Sequence, residues 1–172
     1  VIDADNVLTN YEYDALDRLT QVCFSAPCAA ASDFIRWAYD AVGNRLSETR
    51  PTGSTTYTYN AADQLVEAAS SAGSSTTYTY DADGNQVTAG PSSFTYAKTG
   101  RMKSATVNGT TTNYSYDGDG RRLTATSPTS ETIFSWDPFT YQLLLEGDGN
   151  QNNATVRQYI YGVGLVGMAT PH

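Results

Sequence analysis

Apolar and polar residues alternate with a period of two through much of this chain, and tight-turn residues interrupt the alternation at regular intervals. In Thr76-Thr77-Tyr78-Thr79-Tyr80 the tyrosines are two apart. A strand would point both to one face and Thr79 to the other. β-Branched and aromatic residues suit that pleated surface. Asp81-Ala82-Asp83-Gly84 follows, and Val87 resumes the apolar pattern. Asp at the first position of a type I turn accepts hydrogen bonds from N–H groups further on. Gly at the fourth supplies the positive φ that lets the returning strand start with a bulge. The stretch predicts strand, tight turn, strand.

The same phrase recurs along the chain. Tyr11-Glu12-Tyr13-Asp14 leads to Arg18-Leu19, and Trp37-Ala38-Tyr39-Asp40 to Gly43-Asn44-Arg45-Leu46. Tyr57-Thr58-Tyr59-Asn60 leads to Leu65, and Phe94-Thr95-Tyr96 to Gly100-Arg101-Met102. Tyr114-Ser115-Tyr116-Asp117 leads to Gly120-Arg121-Arg122-Leu123. Phe134-Ser135-Trp136-Asp137 and Tyr159-Ile160-Tyr161-Gly162 close the series. The second aromatic falls at 13, 39, 59, 80, 96, 116, 136 and 161, a spacing near 20. A period sustained over that length means a repeat architecture. Connections between copies are turn-like too: Pro51-Thr52-Gly53-Ser54, Ser70-Ser71-Ala72-Gly73, Ala89-Gly90-Pro91 and Asn108-Gly109, the last a strong hairpin signal. The expected fold is all-β, a continuous antiparallel meander of about seven copies with two strands each. A β-propeller is the competing reading, since two copies approach one blade. It requires alternating copies, whereas adjacent copies here look equivalent.

Departures from the phrase mark four segments of a single array. Residues 1–22 hold a degraded copy, Asp3-Ala4-Asp5-Asn6-Val7-Leu8, and a full one with Asp17 at the Gly position. Asp tolerates left-handed geometry better than most residues. Residues 23–36 read as an insertion with a cysteine pair and Ala29-Ala30-Ala31-Ser32-Asp33, expected as loop. Residues 37–127 are regular. In 128–172, Asp137-Pro138-Phe139 is expected to break the turn. There Leu143-Leu144-Leu145-Glu146 reads as a more buried strand, Gly147-Asp148-Gly149-Asn150 as a turn and Thr155 to Tyr161 as a strand. The apolar, Gly-rich stretch from Gly162 to Ala169, and the start inside a copy, suggest a fragment of a longer protein.

Composition agrees with a β-rich chain and narrows its partners. Of 172 residues 13 are Tyr, and only 16% are charged. Net charge is −8, with 10 Lys+Arg against 18 Asp+Glu. Nucleic acid and anionic membrane surfaces are therefore poor partners, and no apolar run is long enough for a membrane span. Cys23 and Cys28 flank a loop short enough to bring their Cα atoms within disulfide range. A disulfide would imply an oxidising, extracellular compartment, although two reduced thiols are the other reading.

The phrase aromatic-x-Tyr-Asp-x-x-Gly-Asn/Arg-x-Leu resembles the YD (tyrosine–aspartate) repeat of the RHS family, from about Asp3 to Tyr161. Trp37 to Leu46 is an especially close copy. The family includes bacterial wall-associated and Rhs polymorphic toxin proteins, shells of insecticidal toxin complexes, and teneurin ectodomains. The resemblance implies a wide, spiralling sheet that curls into a hollow shell, often around a toxic C-terminal domain. No toxin domain is visible here, and the family's self-cleaving aspartate site would lie beyond Tyr161-Gly162. Ala97 replaces the motif Asp in one copy and Asp63 the motif Gly in another.

Candidate chemistry is sparse. The Asp-x-Asp-Gly clusters at 81–84 and 117–120 suggest calcium, but an EF-hand loop from Asp81 would need Gly at 86 and Glu at 92, where Gln86 and Ser92 stand. Asp14, Asp40, Asn60, Asp81, Asp117 and Asp137, with Gly43, Gly84, Gly100 and Gly120, read as turn formers. No catalytic residue, cofactor or metal site is expected. The only His is His172, which leaves no internal base for a Ser-His-Asp arrangement. The aromatic ladder Tyr11, Tyr13, Trp37, Tyr39, Tyr57, Tyr59, Tyr78, Tyr80, Phe94, Tyr96, Tyr114, Tyr116, Phe134, Trp136, Tyr159 and Tyr161 reads first as cross-strand packing. Its second reading is a platform for surface glycans. Asn108, Asn113 and Asn153 begin glycosylation-type triplets that arise easily by chance in so polar a chain. The leading expectation is a structural, extracellular, non-catalytic module of a shell, wall or fibre. Its partners would be further YD repeats or copies of itself, and the alternative is a carbohydrate-binding adhesion module.

Overall fold

A computed structural model describes residues 8–24, 27–29, 31–149, 154–161 and 165–169. The degraded first copy up to Val7, Asn150, Asn153, Gly162–Gly164 and His172 lie outside the described residues. The chain divides into two compact units, Val1–Thr79 and Tyr80–His172.

Every described regular element is a strand. The first unit holds β1 (Thr9–Tyr13), β2 (Leu19–Phe24), β3 (Asp33–Tyr39), β4 (Arg45–Arg50), β5 (Gly53–Tyr59), β6 (Leu65–Ser70) and β7 (Ser75–Tyr80), whose last residue is the first of the second unit. They hydrogen-bond in chain order, each antiparallel to the next. The second unit holds β8 (Gln86–Ala89), β9 (Ser92–Tyr96), β10 (Met102–Val107), β11 (Thr110–Tyr116), β12 (Arg122–Thr126), β13 (Glu131–Trp136), β14 (Leu143–Asp148), β15 (Ala154–Tyr161) and β16 (Leu165–Ala169). These also pair in chain order and antiparallel. The expected all-β meander of two-stranded copies is the observed fold.

Two kinds of hairpin alternate. Those inside a copy carry a bulge opposite the second aromatic. Ala38 faces Ser47 but Tyr39 faces Arg45, which leaves Leu46 unmatched. The same skip occurs at Thr20, Val66, Lys103, Leu123, Leu144 and Val166. The connecting pairs β2–β3, β4–β5, β10–β11 and β12–β13 run in register. At the tip of β10–β11, Asn108 and Gly109 both have positive φ, 51° and 75°, as a two-residue Asn-Gly hairpin requires.

Burial is shallow. Among the described residues only Gln21, Val22, Cys23, Cys28 and Ala105 are buried, and only Cys23 completely. Strands alternate half-buried and exposed positions, as in β7 and β9. The aromatics occupy the better-covered face, and Thr or Ser the other. Across that second face Thr95 bonds Ser104 and Ser115 bonds Thr124, both at 2.7 Å.

Three expectations change. Cys23 and Phe24 belong to β2 and Asp33–Arg36 to β3, so the loop is narrower than residues 23–36. Gly147 and Asp148 are not turn residues, because they pair on both sides, with Ile133 and Thr132 and with Thr155 and Ala154. Finally, Pro138 lengthens the turn by one residue without destroying it. Asp137 N–H bonds Gln142 O at 2.8 Å, and Tyr141, at φ 60°, takes the left-handed position. Pro is tolerated because that turn draws its donors from Phe139 and Thr140.

Candidate functional site

The residues that recur build one device six times over, a five-residue turn closed from its first N–H to its fifth carbonyl, with the Asp137 turn one residue longer. In the second copy Asp40 N–H bonds Asn44 O and Gly43 N–H bonds Asp40 O. Gly43, Gly84, Gly100 and Gly120 have φ of 103°, 83°, 75° and 90°. Asp17 and Asp63 reach the same region at φ 57°, so the substituted copies keep the turn.

The turn carboxylate collects the N–H groups that the sharp bend leaves unpaired. Asp40 Oδ1 accepts from the backbone of Val42, Gly43 and Asn44, at 3.0, 2.8 and 2.8 Å. Its Oδ2 accepts from the Asn44 side chain at 3.0 Å. Asp14 accepts from Leu16 and Arg18, Asp81 from Asp83 and Asn85, and Asp117 from Arg121. Asn60 does the same through its amide oxygen. Burial pulls the Asp40 and Asp117 carboxyls up, but the hydrogen bonds outweigh it and leave both below the usual aspartate value. Asp14 is held down first by the Arg18 backbone, Asp81 by the Asn85 amide and Asp137 by the Thr140 backbone. These aspartates are saturated by their own turns. Asp83 and Asp119 are exposed, and Asp119 pairs with Arg121 at 3.0 Å. Among the described residues no group of three or more His, Cys, Asp or Glu could hold a metal.

The second aromatic does more than pack. Tyr39 Oη donates to Leu19 O, Tyr59 Oη to Arg45 O and Tyr116 Oη to Met102 O, each at 2.9 Å. Trp136 Nε1 donates to Arg122 O at 2.7 Å. Each acceptor is the residue facing the second aromatic of the preceding copy: Leu19 faces Tyr13, Arg45 faces Tyr39, Met102 faces Tyr96 and Arg122 faces Tyr116. A bulge disrupts the ladder at that point, and the next copy's ring supplies a donor there. Each of these four copies thus holds the one before it in phase. The periodicity located these rings, but nothing in the sequence showed where their polar tips would go.

The rest of the ladder is half-buried except Tyr11 and Tyr13, which are 46% and 59% exposed on β1. Trp37 Nε1 donates to Glu48, which also binds Arg50 at 2.8 Å and Arg45 at 3.3 Å. The Arg50 and Trp37 hydrogen bonds hold the Glu48 carboxyl low. Tyr159 Oη donates to Glu146 at 2.6 Å, and this bond raises the Tyr159 hydroxyl pKa. Arginines lie over ring faces, Arg18 over Tyr39 and Arg45 over Tyr57, 4.9 and 5.0 Å from the centroids. Cys23 and Cys28 are joined, with Cα atoms 5.2 Å apart, at the end of β2.

A family described as Teneurin YD-shell matches residues 2–133. No curated protein sequence matches the chain. Among solved structures, the chain resembles one described as TcdB2-TccC3-Cdc42, at 16% identity and a TM-score of 0.59 over 98% of its length. It also resembles TcdB2-TccC3 without its hypervariable C-terminal region, at 15% identity and 0.55 over 93%. It spans only 11% and 12% of those chains, and the likeness is one of fold.

Proposed function

The chain belongs to the teneurin YD-shell family, and from that premise we propose that it is a structural wall segment, non-catalytic and extracellular. The observation that carries this reading is the bond from the second aromatic of four copies, Tyr39, Tyr59, Tyr116 and Trp136, to the bulge carbonyl of the copy before it. A contact that joins a copy to its predecessor and recurs along the chain extends a wall by repetition, and stability then accumulates from nearest neighbours. Fold neighbours whose descriptions name TcdB2-TccC3 assemblies support the same reading. The Cys23–Cys28 disulfide supports an oxidising compartment. No described helix is long and apolar enough to cross a membrane.

The partners of the wall are other YD repeats, in the same parent chain or in further copies, joined strand to strand. Electron microscopy of the purified chain, with its mass in solution, tests this. Rings, stacks or fibres of many copies support pairing between copies. A monodisperse 18.5 kDa particle at every concentration overturns it, and restricts the wall to repeats of one chain. A glycan-binding role would fall to the exposed rings of Tyr11 and Tyr13. Loss of glycan-array binding in Tyr13→Ala with the fold intact supports that role, and no binding to any sugar overturns it.

A further inference from the structure

We propose that the second unit carries a binding site for an aromatic carboxylate, in a cleft of about 410 Å³ lined by Tyr116, Gly120, Arg122, Phe134, Trp136 and Leu143, with Arg121 at its side. The site goes beyond the wall role and does not depend on it.

The argument begins with one missing acid. The residue four after the turn Asp is an arginine in three copies. Arg18 pairs with Asp14 at 2.7 Å, and Arg121 with Asp117 at 2.6 Å. In the remaining copy Ala97 stands at the Asp position, so Arg101 has no acid in its own turn. Its guanidinium lies instead against Gly120, occupying the space that any side chain there would need. Gly120 lines the cleft. Arg122, from the same lining, lies over the Tyr114 ring at 4.3 Å and near Tyr116 at 6.0 Å. Its Nε is buried without a hydrogen-bond partner. Neither Arg101 nor Arg122 has an ion pair among the described residues, whereas Arg121 is neutralised by Asp117 and Asp119.

Two unneutralised guanidinium groups beside an apolar cleft are unusual in a chain of net charge −8. Half-buried cations without acids favour an incoming anion. The rest of the lining specifies what the anion is attached to. The Tyr116 hydroxyl and Trp136 N–H are already committed to Met102 O and Arg122 O. The cleft therefore offers ring faces, the Leu143 side chain and positive charge, with no spare ring-tip donor for a sugar hydroxyl. A flat apolar body with one carboxylate meets those terms, and the chain's overall negative charge opposes polyanions.

Three probes test this by titration followed in nuclear magnetic resonance spectra of the intact chain: N-acetyl-L-phenylalanine, its uncharged amide and 3-phenylpropionate. Either acid should shift the Trp136 indole signal, while the amide binds at least about tenfold more weakly, as expected for a lost charge-assisted contact. Tighter binding of the acetylated amino acid assigns a peptide C-terminus as ligand. Tighter binding of the phenylpropionate assigns a free acid. Arg122→Gln should weaken the acids about tenfold. Ala97→Asp is the variant free of any folding objection, because it restores the turn acid found in other copies. It should recapture Arg101 and weaken the acids several-fold. Equal binding of acid and amide, no saturable shift at Trp136, or full affinity in both variants overturns the site.

Discussion

The turns at Asp40–Asn44 and Ala97–Arg101 share one backbone but differ in side-chain support. Ala97 N–H bonds Arg101 O at 2.8 Å and Gly100 N–H bonds Ala97 O at 2.9 Å, matching the Asp40 turn at 2.9 and 3.3 Å. Only the Asp40 turn adds a carboxylate that gathers three backbone N–H groups. The bend is thus set by the backbone and the left-handed Gly, and the aspartate is reinforcement. Removing that reinforcement also changes the neighbourhood, because it releases Arg101 towards the next turn.

The largest effect that separates the two kinds of turn is acid. Asp14, Asp40, Asp81, Asp117 and Asp137 all have carboxyls held below the ordinary value of 3.8. Their contribution is fully present above the unfolded pKa and is lost as pH falls through the folded values. Thermal melts should therefore show Tm flat near neutrality and falling below about pH 4. Asp→Asn at these five positions should flatten that fall, as Asn60 already keeps its turn with an uncharged acceptor.

Next in size is Gly120→Val, which combines φ of 90° with the space held by Arg101. It should cost about 2–3 kcal/mol in denaturant unfolding. Gly43→Ala, at φ 103° but with open space around it, should cost about 1–2 kcal/mol. Tyr59→Phe removes only the bond to Arg45 O and should cost about 0.5–1.5 kcal/mol. Smallest is Ala97→Asp, which should raise Tm by about 1–3 °C by giving the Ala97 turn the acceptor that its counterparts have.

How much of this was legible follows from what a pattern can encode. The Tyr-x-Tyr alternation and Asp-x-x-Gly spacing fix strand, turn and bulge locally, and the structure realises them even where Asp17 and Asp63 replace Gly. The extent of β14 was not legible, because Gly147 and Asp148 have turn-forming side chains and only pairing on both sides holds them extended. The tolerance of Pro138 depends on which N–H groups that one turn uses. The locking bonds of Tyr39, Tyr59, Tyr116 and Trp136 link copies through backbone carbonyls, which every residue has, so no residue type announces them. The departure at Ala97 was visible, but the position of Arg101 against Gly120 needed three dimensions.

The central claim is that the copy is the unit, held by its predecessor and holding its successor. Deleting residues 97–116 tests it most directly, because the cut joins Tyr96 to Asp117 and recreates the phrase. Trp136 still finds Arg122 O, and Asp117 still follows a second aromatic. The shortened chain should keep its β-sheet circular dichroism and one cooperative unfolding transition, with a denaturant slope smaller by about an eighth. Loss of the sheet signal, or of the cooperative transition, would contradict the claim.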